Sequence, residues 1–212
     1  MSITLIIIII TVIVSFAANS NAQLYHKLLF NPYSVYNNKE WYRLFTHAFV
    51  HDKQNIFHLI FNMYVLYSFG EIVETILINE MGTMGVVYYL FIYVGGIAVA
   101  SLPALARHKN NYGYNSVGAS GAVSAVLFAA IAFMPFTGGV GIIFLPEDFY
   151  IKPLYFGVLY LAYEIYMDKR SNDNVAHDAH TWGAVFGFLF TLIFVPGAFM
   201  NFIGQLMNAL NF

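Results

Sequence analysis

The sequence predicts an all-α, polytopic membrane protein built as a bundle of six transmembrane helices, and three observations predict it. Of its 212 residues 59% are hydrophobic and 9% are charged, where a soluble domain carries roughly 25% charged residues. Apolar windows long enough to cross a hydrocarbon core of about 30 Å recur at about residues 3–18, 56–78, 84–106, 115–136, 150–167 and 177–199. Nothing between them is large enough for a separate soluble domain, so residues 1–212 read as one membrane domain.

The first window, Ile3 to Ala18, has no Lys or Arg before it and exceeds the usual length of a signal-peptide core, so it reads as a helix that spans. Its β-branched run Ile6 to Ile10 is a poor helix former in water. In lipid the backbone must satisfy its own hydrogen bonds, which forces a helix. The connection that follows, about residues 19–55, mixes Trp41, Tyr42 and Phe45 with Lys39, Arg43 and Lys53, a composition suited to the membrane interface. The connections Arg107–Gly113 and Asp168–Val175 are short and polar, and Pro135–Asp148 carries Gly138, Gly139 and Gly141 and reads as a turn-rich connector. Span five is short and holds Glu164 near its far end, as a tilted or mobile helix would. Residues 200–212 place Phe202, Leu206 and Leu210 at helical spacing, an interfacial tail.

A formal net charge of -2 without clustered Lys and Arg excludes nucleic acid as a partner. Zero cysteines exclude disulfides and thiolate chemistry.

Strongly polar groups inside spans are expensive, so each asks for a role. His58 and Asn62, at i and i+4 in span two, share a helix face; alone, such a pair serves equally well as interhelical hydrogen bonding. Gly118-Ala119-Ser120-Gly121 opens span four, and His180, followed by Gly183 and Gly187, opens span six. Small residues alone usually mean tight helix packing. The positions change that reading. Spans two, four and six run in the same direction, and all three polar sites fall near their N-terminal ends. His58, Ser120 and His180 are therefore expected at similar depth on one side, with Gly121, Gly183 and Gly187 letting spans four and six approach.

A serine hydroxyl needs an adjacent base, which a neutral imidazole supplies. Ser120 is the candidate nucleophile and His180 the candidate base and later acid. Asn62, His58 and the backbone N–H of Ser120 are candidate donors to the oxyanion. Asp178 lies two residues from His180 on the same helix and faces elsewhere, so a Ser–His dyad is expected, without cofactor or metal.

At these residues the chain resembles the rhomboid family of intramembrane serine proteases, over nearly its whole length. Trp41-Tyr42-Arg43, Phe45-Thr46-His47 and His58 to Asn62 look like the family's Trp-Arg loop and its His-x-x-x-Asn oxyanion motif. Gly118-Ala119-Ser120-Gly121 matches its Gly-x-Ser-Gly nucleophile motif, and Ala179-His180 through Gly183 to Gly187 its catalytic-histidine motif. Gly70 and Glu74 fit a structural pattern on the second helix. The resemblance implies a single rhomboid-like membrane domain acting on membrane-anchored, single-pass transmembrane proteins. It implies cleavage at or just inside the outer face of a bacterial plasma membrane, water access from that side, and span five as a lateral gate.

Two features depart from the family pattern. Many relatives carry an aromatic residue one turn after the nucleophile, against the imidazole; here Ser124 stands there, so His180 must be oriented by a hydrogen bond to Ser124 or by another ring. With a cytoplasmic N-terminus, the outward connections hold eight of the nine Lys and Arg, leaving only Lys152 inside, against the positive-inside rule. Two other readings compete. One is a catalytically inactive, client-binding relative, although such proteins typically lack the serine or the histidine. The other is a metal-dependent membrane hydrolase using His47 with His51 or His177 with His180. No His-Glu-x-x-His motif frames His47, His51 and His58, and no carboxylate accompanies them within a span.

Overall fold

The computed structural model describes residues 1–141, 150–170 and 175–210. Helix α1 (Ile3–Ser20) is followed by short helices α2 (Ala22–Leu28), α3 (Pro32–Asn37) and α4 (Arg43–Thr46) and a 3-10 turn at His47–Phe49. Then come α5 (Ile56–Met81), α6 (Thr83–His108), α7 (Ser120–Phe133), α8 (Pro153–Arg170), α9 (His177–Phe194) and α10 (Ala198–Ala209). Strands β1 (Val140–Gly141) and β2 (Tyr150–Ile151) pair antiparallel between α7 and α8. Part of the connector expected at 135–148, and half of the one at 168–175, lies outside the described residues.

The six expected spans correspond to α1 and α5 to α9, with corrected limits. Helices α1, α5 and α6 are each long and apolar enough to cross a membrane, and the windows at 3–18, 56–78 and 84–106 stop two or three residues short of their ends. The fourth window, 115–136, overstates α7. That helix has 14 residues, about 21 Å at 1.5 Å each, and begins only at Ser120. Ser116 exchanges backbone hydrogen bonds with Phe30, and Gly118 has φ +123°, a conformation L side chains rarely adopt. Both hold the preceding residues out of the helix. The fifth window starts too early, because Tyr150 and Ile151 are strand and α8 opens at Pro153, a residue suited to the first helical turn. The sixth ends too late: α9 stops at Phe194, and α10 leaves at 103° after Gly197 in the left-handed region. The expected tail is thus part of α10. Its Asn201 and Gln205 donate to Phe133 O at 3.3 and 2.8 Å, satisfying a carbonyl at the end of α7.

Helix α7 is the axis of the bundle. Every residue from Gly121 to Phe133 is buried, and α5, α6, α8 and α9 pack around it. The approach of α9 is set by absent side chains: a Cβ on Gly183 would lie 2.1 Å from Gly121 O, and one on Gly187 2.0 Å from Ala125 O. Glu74 on α5 ties down the start of α1, accepting from Ile3 N–H at 2.7 Å and from Thr4 N–H and Oγ1 at 2.8 Å. This places a carboxylate where the helix dipole and unpaired amides favour one. Gly70 leaves room for the same junction, since a Cβ there would meet Tyr89 Oη at 2.7 Å. The outer faces of α1 and α6 expose Ile13, Phe16, Phe91 and Leu102, apolar surface that lipid covers.

The chain between α1 and α5 folds into an ordered cap. Arg43 donates to His26 O and Leu29 O at 2.7 and 2.8 Å and pairs with Glu40, while Thr46 Oγ1 donates to Leu28 O at 2.8 Å. Asn31 reaches across to the segment before α7, donating to Tyr112 O, Tyr114 O and Asn115 Oδ1 at 3.0 to 3.1 Å.

Gly187→Ala should force α7 and α9 apart and destabilise the protein by about 3 kcal/mol, read as a lower thermal midpoint in detergent. Gly204→Ala, where an added Cβ meets nothing within 4 Å, should leave that midpoint unchanged or slightly raised.

Candidate active site

Ser120 is the first residue of α7, and three contacts hold the chain leading to it. Beyond the Phe30–Ser116 pairing, Gly118 N–H donates to His47 O at 3.0 Å and Ala119 N–H to His51 Nε2 at 3.3 Å. No side chain caps α7, so the N–H of Ser120 is one of the amides a helix start leaves without an intrahelical acceptor. It sits at the positive end of the helix dipole.

His58 enters from the first turn of α5, its ring against Gly118: a Cβ on Gly118 would be 2.8 Å from His58 Cε1. Asn62, one turn further, is buried, with Nδ2 3.4 Å from His51 Nε2. His180 lies on the first turn of α9. Ser120, His58, Asn62 and His180 line one open cavity of 2020 Å³. It extends between α5 and α8 past Phe61, Val65 and Phe69 on one wall and Phe156 and Tyr160 on the other. Ser120 Oγ and His180 form no hydrogen bond with each other, an arrangement common in unliganded sites, where such contacts tighten on substrate binding.

Two expectations about the surroundings of His180 are corrected. A carboxylate does stand beside it: Glu164 of α8 is buried, with Oε1 3.1 Å from His180 Nδ1 and Oε2 2.6 Å from His177 Nδ1. The residue was visible in the sequence as a carboxylate within an apolar window, but its partner lies on another helix, where no spacing rule reaches. Ser124 bonds not to His180 but to Tyr160 Oη of α8 at 2.8 Å. Asp178 does face elsewhere, paired with Arg107 at the end of α6.

The ligand-like histidine spacings separate in three dimensions. His47 Nε2 lies 3.0 Å from Ser101 Oγ, whereas His51 Nδ1 lies 3.0 Å from Ser15 Oγ. Because Ser15 Oγ donates to Phe49 O at 2.9 Å, His51 Nδ1 carries the proton and Nε2 accepts from Ala119. His51 is therefore a scaffold residue linking α1, α5 and the segment that leads into Ser120. Glu164, His177 and His180 do cluster, their ligand-type atoms within 4.8 Å of one another. Glu164 Oε2 is engaged by His177 Nδ1 at 2.6 Å, whereas Oε1 stands 3.1 Å from His180 Nδ1, which makes no hydrogen bond among the described residues.

A family model described as Rhomboid domain matches residues 38–197. The matched stretch runs from the cap through α9 and so includes every residue of the cavity named above. No individually curated protein matches the chain.

Burial pushes His47 down to about 4 and His51 down to about 3, the latter helped by nearby His58 and His47. The unfolded chain binds protons on both below its ordinary histidine value of about 6.5, and the folded one does not. Their contribution is present above that value and lost as pH falls toward 4 and then 3. Between pH 7 and pH 5 the loss should be about 2 kcal/mol for each histidine. Thermal midpoints in detergent should fall across this window, and less steeply in His47→Asn.

Proposed function

The chain belongs to the rhomboid family, an integral membrane fold, and from that premise we propose that it is an intramembrane serine endopeptidase. Its substrates are single-pass transmembrane segments. The observation that carries the proposal is the meeting of four groups from three helices in one cavity: a serine at a helix start whose hydroxyl has no hydrogen-bond partner among the described residues, an imidazole across a glycine-made contact, and His58 with Asn62.

In this reading His180 takes the proton of Ser120 Oγ as the oxygen attacks the scissile carbonyl. The oxyanion accepts from the Ser120 N–H, Asn62 Nδ2 and His58. His180 then protonates the leaving amine, and water hydrolyses the acyl-enzyme by the same route. The substrate helix reaches the serine between α5 and α8, the two walls of the cavity, and its unwound segment lies along the opening. The active site faces the outer side of a bacterial plasma membrane, an orientation supported by family topology; the cationic residues opposing it, Arg43 and Arg107 among them, are tied into the ordered cap and into ion pairs.

Incubated with a reporter transmembrane substrate, the purified protein should cleave it. Ser120→Ala and His180→Ala should abolish cleavage, and a fluorophosphonate should block it by labelling Ser120. Cleavage that survives in Ser120→Ala and is lost to a chelator would instead establish a metal-dependent hydrolase; substrate capture without cleavage would establish a client-binding protein. Asn62→Ala should lower kcat by about 10²–10³-fold, the usual worth of one oxyanion donor.

A further inference from the structure

We propose that Glu164 is a positioning residue for His180, making the catalytic unit a Ser–His–Glu constellation whose third member is delivered by α8. The inference rests on the protease reading and deepens it.

Glu164 is a carboxylate 4% exposed on a helix that otherwise presents Tyr155, Val158 and Leu159 outward. Such a group is costly in a membrane and is kept where it has partners and a task. Two imidazoles converge on it, one on each oxygen. His177 Nδ1 holds Oε2 at 2.6 Å, while Oε1 stands 3.1 Å from His180 Nδ1, at hydrogen-bond distance but off the N–H line. Tyr160, one turn earlier on α8, shares a hydrogen bond with Ser124 of α7 at 2.8 Å. Helix α8 thus brings a phenol against Ser124 and a carboxylate beside His180, in the place where the family pattern has an aromatic ring.

A neutral imidazole acts as base through one nitrogen only, and the hydrogen bond made by the other nitrogen decides which. A carboxylate facing Nδ1 keeps the proton there, leaves Nε2 as the base toward Ser120, and stabilises the imidazolium that forms during attack. His177 holds Glu164 through Oε2, and Asp178 is occupied by Arg107. Because Glu164 rides on α8, one wall of the cavity, His180 is oriented only while α8 sits against α9. A wide opening of that wall removes the orienting group, and its return restores it.

The test compares wild type and Glu164→Gln in detergent and in liposomes. Glu164→Gln is expected to lower kcat by about 10²–10⁴-fold, in the range seen when an orienting carboxylate is replaced by its amide, with KM within about threefold. The rate at which a small fluorophosphonate labels Ser120 should fall in parallel, since that probe needs no substrate gate. Nitrogen-15 NMR of histidine-labelled protein at pH 8 should find the proton of His180 on Nδ1 in wild type and redistributed in Glu164→Gln. A kcat within twofold of wild type, an unchanged labelling rate, or the same His180 tautomer in both proteins overturns the proposal. Absence of cleavage and labelling in the wild type would overturn the protease reading instead, and the tautomer measurement still decides the Glu164 contact in that case.

Discussion

The close approach of α7 and α9 is the constraint on which the rest depends. At Gly183 and Gly187 the two helices touch backbone to backbone, with room for no further carbon: an added Cβ would lie 2.1 and 2.0 Å from carbonyl oxygens of α7. Lipid offers no hydrophobic gain for pressing helices together, so packing and the removal of side chains must supply the closeness. This contact puts His180 and Ser120 on one cavity wall, and it holds α7, too short to span a membrane by itself, inside a sleeve of longer helices. Shortness is useful here. Starting the helix at Ser120 leaves its first amides without intrahelical acceptors, beside the cavity that the first turns of α5 and α9 also line.

The cap between α1 and α5 supplies the second half of the geometry. A helix start in an apolar core needs partners for its leading backbone, and His47 O, His51 Nε2 and Phe30 provide them for residues 116–119. The same His51 contacts Asn62 and Ser15. Two neutral, buried histidines therefore act as structural acceptors and donors beside the cavity, and their burial explains why they stay uncharged. The division of labour follows from position: His47 and His51 are enclosed by the cap, whereas His58 and His180 border the cavity.

Around His180 the protein replaces one orienting device by another. With Ser124 in the position of an aromatic ring, the space is filled from α8 by Tyr160, and the carboxylate of Glu164 comes with it. This sets the imidazole beside α8, one wall of the cavity, rather than against a ring on α7.

Much was legible in the sequence because membrane helices obey a strict rule: every backbone group must be satisfied, so apolar windows must be helices. That rule by itself determined the all-α class and the six main helices in order, with His58, Ser120 and His180 each on the first turn of its helix. The glycines at 121, 183 and 187 were readable as a close contact for the same reason, since small residues have few other uses in lipid. Three things were decided only by tertiary structure. The true limits of α7 and α9 depend on Gly118 and Gly197, whose backbone conformations break the helix inside apolar sequence. The roles of His47 and His51 depend on partners more than thirty residues away, at Ser101, Ser15 and Ala119. Glu164, seen in the sequence only as a misplaced charge in a weak span, finds His177 and His180 across a helix interface. Periodicity reports which face of a helix a residue occupies; which neighbour that face meets is set by packing, and packing is a property of the whole bundle.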